Sequence, residues 1–299
     1  MKSRIIRILF YGILVWLVSA SYGYYQSSIN GGGGDYNLPN DNNFVTAALE
    51  KFTPGEVNLK AKAALVMDAE TGEIIYAKNR DLQLPVASLT KLATALVVQK
   101  SNPDFTGEIT ITKADVTAAN RTKLYWGETI SLDDCLYLTL MCSDNAAARA
   151  LARSTGMSNE DFLAAMNDLA DELGMKSTCY TDPTGLDAGN ISTATDYIKL
   201  INKAYQNPEI SKISATKSYQ FKALNKNITH TLYNTNRLLN SHWNIKGGKT
   251  GYISQAGYCL ALDICDDTGR RINAVLLGAP SNRYRYRDAD QLLAYATRN

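Results

Sequence analysis

The segment Pro85-Val86-Ala87-Ser88-Leu89-Thr90-Lys91 is a turn of small residues that leads into a helix, and it carries Ser88 and Lys91 three positions apart. At this helical spacing the hydroxyl and the amine lie on one side of the helix, where a lysine can take the proton of a serine. The apolar side chains on the neighbouring arc are those of Leu89, Leu92 and Leu96. They are expected to bury the helix against a core. Ser-x-x-Lys is also a common tetrapeptide, so the segment gains meaning only from other motifs in the chain.

Length and composition are those of a globular protein with a sizeable core. The chain has 299 residues, of which 45% are hydrophobic and 20% are charged. Its formal net charge is +2, but without Lys2, Arg4 and Arg7 it has 28 Lys and Arg against 29 Asp and Glu. This nearly neutral balance argues against a nucleic-acid-binding protein.

The N-terminus has the pattern of an export segment. Cations precede an apolar run from Ile8 to Val18, and Val18-Ser19-Ala20 is a candidate cleavage site. An uncleaved membrane anchor is the alternative, although the run is short for a spanning helix. Residues 1–20 are therefore assigned to a signal peptide or anchor, residues 21–55 to a flexible linker and residues 56–299 to an exported, folded domain.

Cysteines and histidines give no sign of a metal site. The cysteines are Cys135, Cys142, Cys179, Cys259 and Cys265. Their spacing is not that of metal ligands; at most two disulfides could form, and none is required. The only histidines, His230 and His242, have no second histidine or carboxylate cluster nearby, and both are expected at the surface or in a hairpin. The sequence therefore predicts no metal and no cofactor.

Strand patterns at both ends of the folded domain enclose a helical middle. The predicted hairpins are Ala63–Asp68 with Glu73–Lys78, Ser218–Phe221 with Ile228–Tyr233, and Tyr258–Ile264 with Arg271–Leu277. The predicted helices run over Ser88–Lys100, Leu132–Met141, Ala146–Ala152, Ser158–Leu173, Tyr197–Tyr205 and Asp288–Tyr295. This order predicts an α/β fold with an antiparallel sheet flanked by helices and an inserted helical subdomain.

Two further short motifs follow in the chain. Ser143-Asp144-Asn145 lies between two predicted helices, and Lys249-Thr250-Gly251 lies at the start of a predicted strand. Together with Ser88 and Lys91 they form the ordered signature Ser-x-x-Lys, Ser-x-Asn, Lys-Thr-Gly of penicillin-binding proteins and serine β-lactamases. Asp144 is expected to cap the second of the two helices rather than to take part in the chemistry.

Longer segments extend the match beyond these motifs. They are Met67-Asp68-Ala69-Glu70-Thr71-Gly72-Glu73, Thr181-Asp182-Pro183-Thr184-Gly185-Leu186, and Gly248-Lys249-Thr250-Gly251-Tyr252 with Ala256-Gly257-Tyr258. Over about Val57 to Tyr295 the chain resembles the serine-type D-Ala-D-Ala carboxypeptidases, the low-molecular-mass penicillin-binding proteins of peptidase family S11. The resemblance implies a β-lactamase/transpeptidase-like fold with a site in the cleft between the sheet and the helical subdomain.

The resemblance assigns the chemistry to five side chains. Ser88 would attack the carbonyl carbon of the peptide bond, and Lys91, kept neutral by neighbouring cations and partial burial, would accept its proton. Ser143 and Lys249 would form a second proton path toward the leaving amine, with Lys249 also supplying positive potential. Asn145 would orient the substrate amide and Lys91.

Substrate contacts are implied as well. The backbone N–H groups of Ser88 and Tyr252 would form the oxyanion hole. Thr250, beside Gly251 on the same strand, would bind the terminal carboxylate of the substrate, and Arg285 is expected to help. The alternatives to Arg285 are Arg283 and Arg287.

The implied function is that of a penicillin-sensitive serine D-Ala-D-Ala carboxypeptidase, which removes the terminal D-Ala of peptidoglycan stem pentapeptides through an acyl-enzyme. β-Lactams would be its inhibitors, and no nucleic acid partner is expected. The sequence ends at Asn299, soon after the last predicted helix, so we expect no further C-terminal β-domain and membrane contact only through the N-terminus.

Three alternative functions share parts of this pattern. A DD-endopeptidase that cuts peptidoglycan cross-bridges uses the same residues. A class A β-lactamase needs a loop glutamate that positions water, whereas residues 182–186 read Asp-Pro-Thr-Gly-Leu in place of a Glu-x-x-Leu-Asn segment. A non-catalytic penicillin-binding module would be expected to have lost Ser88, Lys91 or Lys249. The carboxypeptidase and the endopeptidase are therefore the leading hypotheses.

Overall fold

The computed structural model describes residues 57–298, so the predicted signal peptide or anchor and the predicted linker lie outside the described residues. The strands are β1 (Ala63–Asp68), β2 (Ile74–Lys78), β3 (Leu84–Pro85), β4 (Glu108–Thr110), β5 (Thr129–Ser131), β6 (Ile191–Ser192), β7 (Ser218–Lys222), β8 (Thr229–Tyr233), β9 (Ile245–Ile253), β10 (Gly257–Cys265) and β11 (Arg271–Ala279). The α-helices are α1 (Lys91–Lys100), α2 (Lys113–Thr117), α3 (Leu132–Met141), α4 (Asn145–Ser154), α5 (Asn159–Glu172), α6 (Ala194–Gln206), α7 (Pro208–Ala215) and α8 (Asn282–Ala296). Short 3-10 turns span Ala87–Thr90 and Arg237–Asn240.

A five-stranded antiparallel sheet, in the order β2-β1-β11-β10-β9, carries helices on both faces. Along β11, Ile272, Ala274 and Leu276 join the core that contains α8, whereas Val275 and Leu277 join the core of the helical region and α6. This alternation follows the two-residue period of a strand, and both faces are apolar because both are covered. Strand β9 is left at one edge of the sheet.

Helix α1 runs through the middle of the helical region. It contacts α3, α4, α5 and α6, and every residue from Lys91 to Val98 is buried. A helix buried on all sides needs apolar residues on all sides, and leucine, alanine and valine fill most of these positions. Each fully buried leucine contributes about 1.5–3 kcal/mol to the free energy of unfolding. Lys91 is therefore carried into an apolar interior by its own helix.

The predicted α/β architecture is confirmed. Helices separate the strands at the two ends of the described chain, and the three predicted hairpins correspond to β1–β2, β7–β8 and β10–β11, with ends that differ by a few residues. Among residues 57–298, none of the helices combines the length and the apolar character required to span a bilayer.

Helices α7 and α8 begin at positions where no helix start was predicted. Helix α8 begins at Asn282, earlier than predicted, because Ser281 caps it by accepting the Tyr284 N–H at 3.2 Å. Helix α7, which was not predicted, begins at Pro208, soon after α6 ends at Gln206. Asn207 provides the cap for this helix, and a proline at the first helical position loses no hydrogen bond.

His230 lies in the predicted hairpin, but its side chain is not at the surface. Only 7% of the residue is exposed, and its ring stacks on that of Phe221 with 4.8 Å between the centroids. Its Nε2 atom forms a hydrogen bond with the fully buried carboxylate of Glu128. The partner carboxylate comes from a distant part of the sequence, so the hairpin pattern gave no sign of it.

Candidate active site

The turn Ala87–Thr90, here called the Ser88 turn, places Ser88 at the start of α1. Ala87 has a left-handed φ of +50°, and the Thr90 hydroxyl donates to the Ala87 carbonyl oxygen at 2.8 Å. Ser88 was predicted within the α-helix, but it lies in this 3-10 turn, and α1 begins only at Lys91. Ser88 is consequently half-buried, whereas Lys91 is fully buried.

The amine of Lys91 contacts three oxygen atoms. Its Nζ lies 3.1 Å from Ser88 Oγ, 2.6 Å from Asn145 Oδ1 and 2.6 Å from the Thr184 carbonyl oxygen. The structure therefore brings Ser88, Lys91 and Asn145 together, as the motif order predicted. The contact with Thr184 was not predicted.

Burial is the main cause of a strongly lowered pKa at Lys91. Removal from water disfavours the ammonium form and lowers the pKa to about 7. The carboxylates of Asp182 and Asp144 oppose this shift, and the guanidinium of Arg149 adds to it. Neighbouring cations and partial burial were predicted as the causes, whereas complete burial is the largest cause and Arg149 is the cation that contributes.

The hydrogen bonds orient the lone pair of a neutral Lys91. A neutral amine has two N–H groups and one lone pair, and amide oxygen atoms can only accept hydrogen bonds. Asn145 and Thr184 offer such oxygens at the two shorter distances, so they take both N–H groups. The lone pair then faces Ser88, which among the three neighbours is the one that can donate a proton. The arrangement suits proton transfer from Ser88 to Lys91.

Asn145 is the first residue of α4, and the start of that helix fixes its side chain. Asp144 caps α4 by accepting the Ala147 N–H at 3.1 Å, as predicted. Asn145 Nδ2 donates to the Ala119 carbonyl oxygen at 2.7 Å, which assigns Oδ1 to Lys91. A flip of this amide would break a buried hydrogen bond on each side.

The Thr184 carbonyl belongs to a loop between α5 and β6 to which the sequence argument gave no role. Asp182 shapes the loop by accepting the N–H groups of Thr184 and Gly185 at 3.0 and 2.9 Å. Gly185 has a φ of +80°, and a Cβ atom there would collide with the Ala87 carbonyl oxygen. The only sign of this loop in the sequence was the segment Asp182-Pro183-Thr184-Gly185. It contributed to the family resemblance, but it suggested no chemical role for a side chain.

A second buried lysine lies beneath a second serine. Lys249 Nζ donates to Ser143 Oγ at 2.8 Å and to the Thr250 carbonyl oxygen at 2.9 Å. Burial, followed by the charges of Lys91 and Arg285, holds the pKa of Lys249 well below its ordinary value. Ser143 is half-buried and has a left-handed φ of +60°. The predicted pair of Ser143 and Lys249 is therefore present at a distance that permits proton exchange.

Strand β9 runs along the Ser88 turn. The Lys-Thr-Gly motif was predicted at the start of a strand. Because β9 begins at Ile245, the motif lies in the middle of the strand instead. Gly251 faces the turn, because a Cβ atom there would lie 2.9 Å from the Val86 carbonyl oxygen. Tyr252 follows and is 53% exposed. The two N–H groups predicted to form the oxyanion hole, those of Ser88 and Tyr252, thus belong to neighbouring elements.

Thr250 and Arg285 were predicted to bind the substrate carboxylate. The Thr250 hydroxyl donates to Thr235 Oγ1 at 2.7 Å. Arg285 is 7% exposed, and its Nη1 donates to the carbonyl oxygens of Gly251 at 3.2 Å and Cys259 at 3.4 Å. Arg285 therefore supports the backbone of β9 and β10, and its contact with a substrate stays a prediction.

The cysteines and the metal-binding residue types add no further chemistry to this cleft. Within residues 57–298, no group of three or more His, Cys, Asp or Glu side chains is arranged to hold a metal ion. All five cysteines are free thiols. Burial raises the pKa of Cys142, which adjoins Ser143, to about 11, so this thiol stays protonated at neutral pH.

Known proteins resemble this chain in sequence and in fold. The model of the family described as D-alanyl-D-alanine carboxypeptidase matches residues 50–281. A D-alanyl-D-alanine endopeptidase of Pseudomonas aeruginosa is 37% identical over 242 residues, which cover 80% of this chain and 78% of that relative. The D-alanyl-D-alanine carboxypeptidase DacF of Bacillus subtilis is 30% identical over 249 residues, covering 81% of this chain and 63% of the relative. The structure of the Streptomyces K15 DD-transpeptidase matches with a TM-score of 0.78 at 29% identity, covering 82% of this chain and 100% of the other.

The matched region contains both serine–lysine pairs and most of the sheet that carries them. Residues 50–281 include Ser88 with Lys91 and Ser143 with Lys249, and they end at the cap of α8. The relatives match the chain in sequence over most of its length, and the solved structure matches it in fold. This chain therefore belongs to peptidase family S11, the serine-type D-alanyl-D-alanine carboxypeptidases, which are low-molecular-mass penicillin-binding proteins.

Proposed function

We propose that the protein releases the terminal D-Ala of peptidoglycan stem pentapeptides and that Ser88 carries the acyl group. The observation behind this proposal is the 3.1 Å contact between Ser88 Oγ and the amine of Lys91, whose pKa burial lowers to about 7. Near neutral pH a large share of Lys91 is then unprotonated. It accepts the hydroxyl proton while Oγ attacks the scissile carbonyl carbon.

The second serine–lysine pair serves the leaving group. When the tetrahedral intermediate collapses, the C–N bond breaks and the departing amine of D-Ala needs a proton. Ser143 supplies this proton and regains the one that Lys91 took from Ser88, so Lys91 is neutral again, while Lys249, whose Nζ lies 2.8 Å from Ser143 Oγ, holds the hydroxyl in place. The N–H groups of Ser88 and Tyr252 stabilise the oxyanion. Water then hydrolyses the ester, with Lys91 again as the base.

Substrate binding completes the proposal. Thr250 and Gly251 on β9 line the cleft beside the Ser88 turn, and Thr250, with help from Arg285, binds the terminal carboxylate. β-Lactams take the place of the D-Ala-D-Ala group and acylate Ser88.

Ser88→Ala is the direct test. We expect the wild-type protein to be labelled covalently by a fluorescent penicillin and to release D-Ala from a stem pentapeptide. The variant should do neither, because the attacking oxygen is gone. Ser101→Ala, at the opposite end of α1, is the matched control and should keep both activities. Labelling of Ser88→Ala by the fluorescent penicillin at the wild-type level would show that Ser88 is not the nucleophile.

Endopeptidase activity on peptidoglycan cross-bridges is the second candidate. The observation that favours it is the name of the Pseudomonas aeruginosa relative at 37% identity, a D-alanyl-D-alanine endopeptidase. Product analysis separates the two candidates. Free D-Ala from a pentapeptide supports the carboxypeptidase, whereas monomers from a cross-linked muropeptide dimer without D-Ala release support the endopeptidase.

We also propose that the protein acts outside the cytoplasm. The cations of residues 1–7 and the apolar run from Ile8 to Val18 support export. N-terminal sequencing of the protein recovered from its native host tests this. A mature chain that starts after Ala20 indicates cleavage, whereas a chain that starts near Met1 indicates an anchor.

A further inference from the structure

Three large apolar side chains are exposed on two adjoining segments of the chain. They are Tyr125 at 59%, Trp126 at 64% and Leu224 at 53% exposure. Tyr125 and Trp126 belong to residues 125–128, here called the aromatic turn, and Leu224 belongs to the tip of the β7–β8 hairpin. The two segments adjoin, since Lys226 Nζ donates to the Trp126 carbonyl oxygen at 2.9 Å. Apolar groups that are clustered and left in water mark binding surfaces.

The backbone of the aromatic turn is held rigidly. The Glu128 N–H donates to the Tyr125 carbonyl oxygen at 3.1 Å, and Gly127 supplies the left-handed φ of +73°. The fully buried Glu128 carboxylate accepts the Tyr125 N–H at 2.9 Å and forms a hydrogen bond with His230. Asn225 Nδ2 donates to the Gly127 carbonyl oxygen at 2.9 Å. Because the turn is ordered before any ligand arrives, binding there costs little conformational entropy.

The aromatic turn is linked to the active site by the residues that precede it in the chain. The residues just before it bind the Ser143-Asp144-Asn145 motif directly. Asn145 Nδ2 donates to the Ala119 carbonyl oxygen, and the Lys123 N–H donates to the Asp144 carboxylate at 2.7 Å. A polymer whose side branch occupies the cleft would therefore pass beside Tyr125 and Trp126.

The chemistry of this surface suits a sugar chain. The face of an aromatic ring is electron-rich and attracts the C–H groups on the flat side of a pyranose. Lys113 Nζ lies over one face of the Trp126 ring, 5.7 Å from its centroid, and Lys226 Nζ donates to the Trp126 carbonyl oxygen. Ammonium donors for hydroxyl, acetamido and carboxylate groups are therefore present at this turn, and the other face of the ring is left for a sugar. Three side chains cover a few hundred Å² at most. That is less than the roughly 1,000 Å² of a specific protein interface.

We propose that the aromatic turn, together with Leu224, binds the polysaccharide strand of peptidoglycan while the stem peptide occupies the cleft. The identity of the polymer rests on the proposed function, because the strand is what carries the scissile peptide. The aromatic turn thereby selects polymeric substrate over free stem peptide.

Trp126→Ala tests the proposal, with Ile74→Ala as the matched control. Ile74 is 44% exposed and lies on β2, at the sheet edge opposite β9. We expect Trp126→Ala to lower cosedimentation with insoluble peptidoglycan about tenfold and to raise KM on that polymer by a similar factor. Penicillin labelling and turnover of a soluble pentapeptide should stay at wild-type values. Trp126→Phe should restore binding, and Ile74→Ala should change none of these quantities.

Glycan strands from which an amidase has removed the peptides test whether the polysaccharide itself is bound. Cosedimentation of the wild type with these strands, weakened in Trp126→Ala, supports the proposal. Absence of binding to peptide-free strands, or wild-type binding of Trp126→Ala to them, overturns it. Equal losses by Trp126→Ala on polymer and soluble pentapeptide also overturn it. A wild-type protein that is not labelled by penicillin would contradict the proposed function alone, because the sedimentation result does not depend on acylation.

Discussion

A lysine can act as a base near neutral pH only where its surroundings disfavour the ammonium form. Lys91 meets this condition because α1 carries it into an apolar interior, and complete burial outweighs the attraction of Asp182 and Asp144. Its two short hydrogen bonds, to Asn145 and Thr184, then fix where the lone pair points. Burial sets the proton affinity of Lys91, and the two amide oxygens set the direction of proton transfer.

Acylation by penicillin should therefore rise with pH and level off above neutrality. The neutral fraction of Lys91 grows as pH passes its pKa of about 7, so the rate constant at pH 6 should be about one tenth of the plateau. Gel-based labelling rates between pH 5.5 and 8.5 measure this. Lys91→Arg, which stays charged throughout, should acylate on the order of 10³-fold more slowly and keep the circular dichroism spectrum of the wild type. A rate constant that does not change over this range would contradict the role of Lys91.

The side chains that meet in the cleft could be predicted from sequence, whereas the backbone groups that orient them could not. Ser88, Lys91 and Lys249 stood out because hydroxyl and amine groups at motif spacing have a chemical meaning. Thr184 and Ala119 act through their backbone carbonyl oxygens. Every residue type has such a group, so the residue types at these positions give no sign of the role. Their positions depend on loops folded against α1 and α4.

At the scale of elements, two other segments of the chain contact the Ser88 turn. The loop that carries Thr184 packs against this turn at Gly185, and β9 packs against it at Gly251. Both contacts use residues without a side chain, because the backbones approach too closely for a Cβ atom. The position of Ser88 relative to Lys91 therefore depends on a packed junction of backbones.

Gly185→Ala should disrupt this junction, and Gly72→Ala provides the matched control. Both glycines have a left-handed φ, +80° at Gly185 and +76° at Gly72, but a Cβ atom at Gly72 would have no neighbour within 4 Å. The control should cost about 1 kcal/mol in the free energy of unfolding for the backbone conformation alone. Gly185→Ala should cost about 3 kcal/mol or more and lower penicillin acylation at least 100-fold. Chemical denaturation and labelling kinetics measure the two effects, and equal effects of the two substitutions would contradict this account.

Elements with clear turn residues at their ends were predicted well. The β1–β2 and β10–β11 hairpins follow short apolar runs on either side of turns that contain Gly72 and Gly269. The first turns of α8 were missed, because Arg-Tyr-Arg-Tyr-Arg has no apolar period of 3.6 residues and depends on contacts with β10 and β11. Tertiary packing determines the secondary structure of such segments, and these packing contacts cannot be read from a single sequence.

At the scale of the whole described domain, two buried lysines make stability depend on pH. In the unfolded chain Lys91 keeps its proton up to about pH 10.5, whereas in the folded protein it loses the proton above about pH 7. Between these values the unfolded state binds more protons, so the free energy of unfolding rises with pH. Below about pH 7 Lys91 is protonated in both states, and the cost of burying its charge is fully present. Lys249, with its lowered pKa, acts in the same direction.

The free energy of unfolding should consequently increase between pH 7 and pH 8.5. The slope from Lys91 alone approaches about 1.4 kcal/mol per pH unit. Lys91→Met should reduce the slope, because it removes the titrating group while it keeps most of the buried volume. Lys100→Met, at a side chain that is 62% exposed, should keep the wild-type slope. Urea denaturation at the two pH values checks this, and an unchanged slope in Lys91→Met would count against it.

The contact between Gly251 and the Ser88 turn also bears on how antibiotic resistance could arise by mutation. A side chain at this position would come within 2.9 Å of the Val86 carbonyl oxygen and 3.2 Å of the Leu89 nitrogen, so a replacement would force a shift of backbone on either side of Ser88 or of β9 itself. A mutation that excludes a drug at Gly251 would also disable the enzyme. Selection for drug exclusion would therefore act on side chains that reach solvent, such as Tyr252, where a new shape can discriminate between drug and peptide without moving the Ser88 turn.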